Sequence, residues 1–167
     1  MRIAGALLFG CLGIVTARAE WLYQSTDDAF TGPIHVAMAV EPDSGYFVAF
    51  KCTTFTDLTL LFATPIRLEQ GDAKFLAHAP PATILVIVDD EPRQRFPATP
   101  EMVIETEQLR FVFAGPGVRQ LAGAAAAAKR RFAVAVEING KIMHSKTFEA
   151  AGSGDALKQM SSGCKLD

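Results

Sequence analysis

Residues 132–148 read FAVAVEINGKIMHSKTF. Two runs suited to strands, 132–138 and 141–148, meet at Asn139-Gly140. Asn-Gly favours the left-handed backbone of a type I′ turn, so the stretch predicts a tight antiparallel hairpin. Helical patterns flank it. Gly115-Pro116 opens the earlier one, with proline at a tolerated first-turn position, and it runs through Val118, Leu121 and Ala124–Ala128. Lys129, Arg130 and Arg131 are expected at its end, where the helix dipole favours cations.

The second helix is expected in GSGDALKQMSSGCKLD, residues 152–167. Gly152-Ser153-Gly154 is a break, with Ser153 as the expected N-cap and Asp155 in the first turn. Ala156, Met160 and Cys164 recur every four residues and share a face with Leu157. Gly163 is expected to end the helix one residue early.

Upstream, Trp21 to Pro33 reads as an irregular lead-in. Ile34 to Val40 alternates as a half-buried strand, and Pro42-Asp43-Ser44-Gly45 is a turn. Tyr46 to Thr54 alternates again, with Tyr46, Val48, Phe50 and Cys52 on one face. Leu58–Ala63 and Thr83–Val88 are apolar runs. Arg93–Phe96, Met102–Glu105 and Leu109–Phe113 are weaker strand signals. The sum is about seven or eight short strands joined mainly by turns, with a helix before and after the last hairpin. That predicts an α+β domain: a mostly antiparallel sheet or sandwich with two packed helices, the last one C-terminal.

The first residues set the expected compartment. Arg2 precedes an apolar run, Ile3 to Val15, and Ala17-Arg18-Ala19 supplies the small residues that a signal peptidase reads. Residues 1–19 are therefore expected to be a signal peptide, leaving residues 20–167 as one exported domain, periplasmic or secreted. An uncleaved membrane anchor and lipidation at Cys11 are the alternatives. The run falls short of the roughly 20 residues a helical span needs, so no stable membrane span is expected after cleavage.

Removing Arg2 and Arg18 leaves 14 of 16 basic residues against 18 acidic ones, a formal charge of −4. That mild acidity argues against nucleic acid as a partner, which wants a dense basic stripe.

Cleavage also removes Cys11 and leaves Cys52 and Cys164. Two cysteines in a small exported domain are expected to pair, and the face carrying Cys164 is expected to aim it at Cys52. Buried free thiols or an intermolecular bridge are the alternatives. Closing so long a loop is worth about 4–5 kcal/mol on the chain-entropy account. With no Cys-x-x-Cys pair, the bond reads as a staple and not a redox centre.

Chemistry-bearing residues are scattered. His35, His78 and His144 lack metal-ligand spacing and read as surface or edge residues. Asp89-Asp90-Glu91 is the densest carboxylate cluster, a candidate for calcium or acid–base work, but it sits in a proline turn and reads as solvated, as does Asp27-Asp28. Arg93, Arg95 and Arg110 read as a solvated sheet face. Ala114-Gly115-Pro116-Gly117 lacks the Gly-Lys-Ser/Thr of a phosphate loop, and Gly-x-Ser-x-Gly is absent. No catalytic residue, metal ligand or cofactor is expected.

Trp21, Asp27-Asp28, Cys52 and Asp89-Asp90, followed by Phe148, Gly152, Ala156-Leu157 and Cys164, form a skeleton. It resembles the small periplasmic proteins found with bacterial type VI secretion systems and similar exported proteins. The resemblance implies an envelope role linked to secretion and brings no catalytic residues. The expectation is a non-enzymatic binding or accessory module whose partner is a protein or small ligand of the cell envelope. A secreted effector or inhibitor, or an envelope-polymer hydrolase, is the alternative.

Overall fold

The structure is a computed structural model and describes residues 20–30, 32–41, 43–53, 56–69, 76 and 78–166. The expected signal peptide, with Cys11, lies outside the described residues, as do Thr31, Pro42 and Thr54. Nine strands form one antiparallel sheet: β1 Trp21–Asp28, β2 Gly32–Glu41, β3 Tyr46–Thr53, β4 Thr56–Arg67, β5 Ala82–Val88, β6 Gln94–Val103, β7 Gln108–Ala114, β8 Arg131–Ile138 and β9 Lys141–Glu149. Among the described residues two helices pack on the sheet, α1 Val118–Ala127 and α2 Ser153–Cys164. The mostly antiparallel sheet with a last, C-terminal helix is as expected. Among the described residues the strands number nine, not seven or eight, and they make one curled sheet, not a sandwich.

The spatial order is β1-β2-β3-β4-β7-β6-β5-β8-β9. β1 to β4 form a meander. The chain then crosses to β5, returns through β6 to β7 beside β4, and passes through α1 to place β8 on the far side of β5. The sheet bends at β6, which pairs β5 along 94–98 and β7 along 99–103. Each half of β6 thus leaves one flank without a ladder partner, where Pro97 and Pro100 cost least by lacking an N–H. Register shifts in β3–β4, β4–β7 and β8–β9 add local twist.

The curl makes one face concave, and the core fills it. Phe50, Phe62, Phe111, Phe132 and Phe148 lie there fully buried, with Ile84, Val86 and Leu60. Burying each such side chain is worth about 1.5–3 kcal/mol. α2 lies on the inner face of β1, β2 and β3 and against α1, while α1 leans on β4. No helix among the described residues is long and apolar enough to cross a membrane.

Three local expectations are corrected. The lead-in is strand β1, paired with β2 along its whole length. Its alternation is hard to see because only Trp21 and Tyr23 of its inner-facing residues are large and aromatic. α1 stops at Ala127, and Ala128 turns away at ψ 142°. The backbone N–H groups of Lys129, Arg130 and Arg131 donate to the Asp89 carboxylate at 2.8, 2.8 and 2.9 Å, so they lie beyond the helix rather than in its last turn. At α2 the N-cap is Gly152, not Ser153. Gly152 sits at φ 81°, and a Cβ there would lie 3.1 Å from the Trp21 carbonyl oxygen, so only glycine fits. α2 also passes through Gly163 to Cys164. A Cβ on Gly163 would lie 2.5 Å from the His35 ring, so this glycine permits close approach instead of ending the helix.

Candidate functional site

The curled sheet brings its two ends together. β2 and β3 present Glu41 and Tyr46 on the inner face, paired across the ladder. β9 presents His144 and Lys146 on its own inner face. Lys146 ion-pairs with Glu41, whose Oε2 also accepts the Ser44 hydroxyl. The Tyr46 hydroxyl lies 3.1 Å from His144 Nδ1, and the Tyr46 ring stacks on Phe62 with centroids 5.8 Å apart. The Lys146 hydrogen bond, aided by Ser44, holds the Glu41 carboxyl below its usual range. Burial pushes the His144 imidazole down, favouring its neutral form. A neutral ring accepts the Tyr46 proton at Nδ1. The Glu41–Lys146 and Tyr46–His144 pairs both join β2 and β3 to β9, so the cluster acts as a clasp between the sheet ends. Beside it lies a cleft of about 320 Å³ rimmed by Glu41, Tyr46, Arg67, Thr106 and Gln108.

The convex face offers a second surface. Ala133 and Ala135 of β8 floor a groove of about 400 Å³ between Leu85 and Ile87 of β5 and Ile142 and Thr147 of β9, with Arg93 at its rim. Small residues on the middle strand, flanked by larger ones, leave this hollow. Ile142 and its neighbour Met143 are 56% and 57% exposed.

The residues singled out from the sequence do not converge. Among the described residues, no three of His, Cys, Asp and Glu group to hold a metal. Asp89 sits at φ 49°, and its three backbone hydrogen bonds hold its carboxyl down at about 2. Asp90 ion-pairs with Arg130 and with Arg131, at 3.6 Å for the latter. The acidic turn is therefore a clamp on the strand entry of β8. Arg95 pairs with Glu137, and Arg110 with Glu101 at 2.9 Å, so the arginines serve separate ion pairs. Asp28 Oδ1 accepts the Phe30 N–H, closing the turn after β1.

His78 is exposed, but His35 is buried, which corrects its reading as a surface residue. It points inward from β2, 2.8 Å from the Tyr23 hydroxyl and under Gly163. Cys52 and Cys164 form a disulfide pair, with Cα atoms 6.2 Å apart across 112 residues of chain. Cys52 lies in the core face of β3, its Sγ 3.9 Å from the His35 carbonyl oxygen, and Cys164 on the buried face of α2.

Sequence reasoning missed the clasp and the groove. Glu41, Tyr46 and Lys146 are ordinary residues at strand positions, and nothing in their spacing signals that β2, β3 and β9 meet. Comparison with known proteins finds no matching family model, no matching curated protein and no matching solved structure.

Proposed function

We propose that the chain is an exported, non-enzymatic binding or accessory module of the cell envelope, linked to secretion. The observation that carries this reading is the groove floored by Ala133 and Ala135, an apolar hollow with a cationic rim at an exposed sheet edge. Its alkyl floor and walls suit contact with a partner's apolar groups, with Arg93, Ser145 and Thr147 to orient them. The Cys52–Cys164 pair supports an oxidising compartment, since such bonds persist there. The N-terminal run and Ala17-Arg18-Ala19 supply the export route.

The test has two parts. Intact-mass analysis of the exported protein should give a chain starting at Glu20. A photo-crosslinker at Thr147, in the groove, should capture an envelope component that the same group at Gln24 on β1 does not. A mature end at lipidated Cys11 overturns the processing step. Equal labelling from both positions overturns the groove as the binding surface. Recovery of the protein in culture supernatant without lysis favours a secreted effector or inhibitor instead.

A further inference from the structure

α1 and α2 lie side by side and run in opposite directions. At one end a Cβ on Gly154 would lie 3.0 Å from the Ala126 carbonyl oxygen, so the start of α2 touches the end of α1. At the other end Arg119 Nη1 donates to the Leu166 carbonyl oxygen at 2.9 Å, tying the start of α1 to the chain just past α2. Between these ties the helices leave a groove of about 390 Å³. Its floor is apolar, with Leu58 of β4, Ala122 of α1, and Leu157 and Met160 of α2 all buried. Arg119 and Lys158 are exposed on its rim.

Gly123 marks the groove as more than a packing gap. Glycine is a poor helix former, so inside a helix it needs a reason. Gly154 and Gly163, inside α2, have one: a Cβ on either would press on Ala126 or on the His35 ring. Gly123, inside α1, has none of that kind. Among the described residues, nothing outside its own turn of helix lies within 4 Å of where its Cβ would sit, so the missing side chain is a notch in the groove wall. The charges are equally uncommitted. Among the described residues Lys158 meets no carboxylate, and Arg119 bonds only the Leu166 carbonyl, which leaves its other N–H groups spare. The only acid on either helix is Asp155, one turn before Lys158.

We propose that this groove binds a single-chain carboxylate of the fatty-acid class. Its alkyl chain lies on the floor of Ala122, Leu157 and Met160 and in the Gly123 notch, and its head sits between Arg119 and Lys158. The site belongs to the helix layer, not to the convex face, so it stands apart from the binding reading above. Arg119 and Lys158 against Asp155 leave one net positive charge along the groove, the complement of a monoanionic head. From Arg119 to Ala126 the helix rises about 10 Å, close to the length of an extended octyl chain. The volume is that of a small-molecule site. An extended peptide fits less well. Both walls are helices whose backbone groups are already paired, so a strand laid between them would leave its own N–H and C=O groups without a ladder. An alkyl chain asks for none.

Titration calorimetry of the purified oxidised chain with octanoate should show one saturable site. Added salt should weaken it. Octanol, which keeps the chain and drops the charge, should bind more weakly and without that salt dependence. Gly123→Leu should lower octanoate affinity at least tenfold, because leucine fills the notch. Its melting temperature should not fall below the native value, because the notch is open and leucine favours helix. Lys158→Gln, at an exposed side chain, should weaken octanoate several-fold and leave octanol unchanged, and serves if the leucine variant does not fold. Octanoate binding that is absent, or that survives Gly123→Leu unchanged, overturns the proposal. So does octanol that binds as tightly as octanoate, or an acidic peptide that displaces octanoate at lower concentration, which would give the groove to a protein partner.

Discussion

Trp21 Nε1 donates to the Glu149 carbonyl oxygen at 3.0 Å, joining residues 128 positions apart. The same indole packs on Phe50 and, edge-on at 5.6 Å, on Phe132. One side chain thus ties the first strand to the last and roofs the core between them. Trp21→Phe should cost about 1 kcal/mol for the lost hydrogen bond. Trp21→Ala should cost about 3–5 kcal/mol, adding the cavity. Urea unfolding of both variants checks the ratio. Equal losses would mean that the hydrogen bond, not the packing, carries the tie.

Breaking the Cys52–Cys164 bond should cost about 2–5 kcal/mol. Cys52→Ser, Cys164→Ser and the double variant should be about equally unstable, because each removes the same cross-link. Thiol labelling of the unreduced, denatured protein should find neither cysteine reactive. Two reactive thiols per chain would refute the bond.

Gly163→Ala sets two effects against each other. Alanine improves a helix interior by about 1 kcal/mol over glycine. Here its methyl meets the buried His35 ring, which Tyr23 holds in place, and overpacking of this kind costs about 1–3 kcal/mol. Net destabilisation is expected. A rise in melting temperature would show that the ring gives way freely.

The clasp should make stability fall with acid. Burial depresses the pKa of His144, so the unfolded chain takes up a proton at higher pH than the folded one. The stabilisation is complete above the ordinary histidine pKa of 6.5 and is lost as pH drops from there toward the folded value. His144→Gln should flatten the melting temperature between pH 7 and pH 5 relative to the native chain, a window set by the ordinary histidine pKa of about 6.5. An unchanged slope would assign that loss elsewhere.

Asp89 acts at lower pH. Its carboxyl is held at about 2 by the three N–H donors after α1, so its support fades from the usual 3.8 down to about 2 as acid is added. Asp89→Ala should remove that step and strain the backbone at φ 49°. Asp89→Asn keeps a side-chain acceptor and tolerates the left-handed region, so it should melt between the two. A melting temperature for Asp89→Ala equal to the native value would refute the clamp.

What was legible in the sequence was local. The Asn139-Gly140 hairpin and the α2 face with Ala156, Met160 and Cys164 are patterns of neighbours, and both are found. Cys52 on a core-facing strand position also follows from simple alternation. The misses are long-range. β1 is a strand because β2 pairs with it, not because WLYQSTDD alternates strongly. α1 ends where Asp89, 40 residues earlier in the chain, takes its neighbours' N–H groups. The clasp needs β2, β3 and β9 to meet, which depends on the order β4-β7-β6-β5-β8, and no spacing along the chain encodes that order. Trp21, Gly152, Ala156, Leu157 and Cys164 lie at the seat of α2 on the sheet, and Cys52 anchors it.

The bridge between Cys52 and Cys164 also changes what a protease can do. β4 to β9 lie wholly inside the covalent loop, so one cut anywhere along it leaves a single molecule. A nick at the exposed Asn139-Gly140 turn separates β9 from β8 along the backbone only. The ladder, the clasp and the sulfur link still hold the two fragments together. Nicked protein should therefore run as one band without reductant and as two with it, and a chain cleaved once would keep its shape.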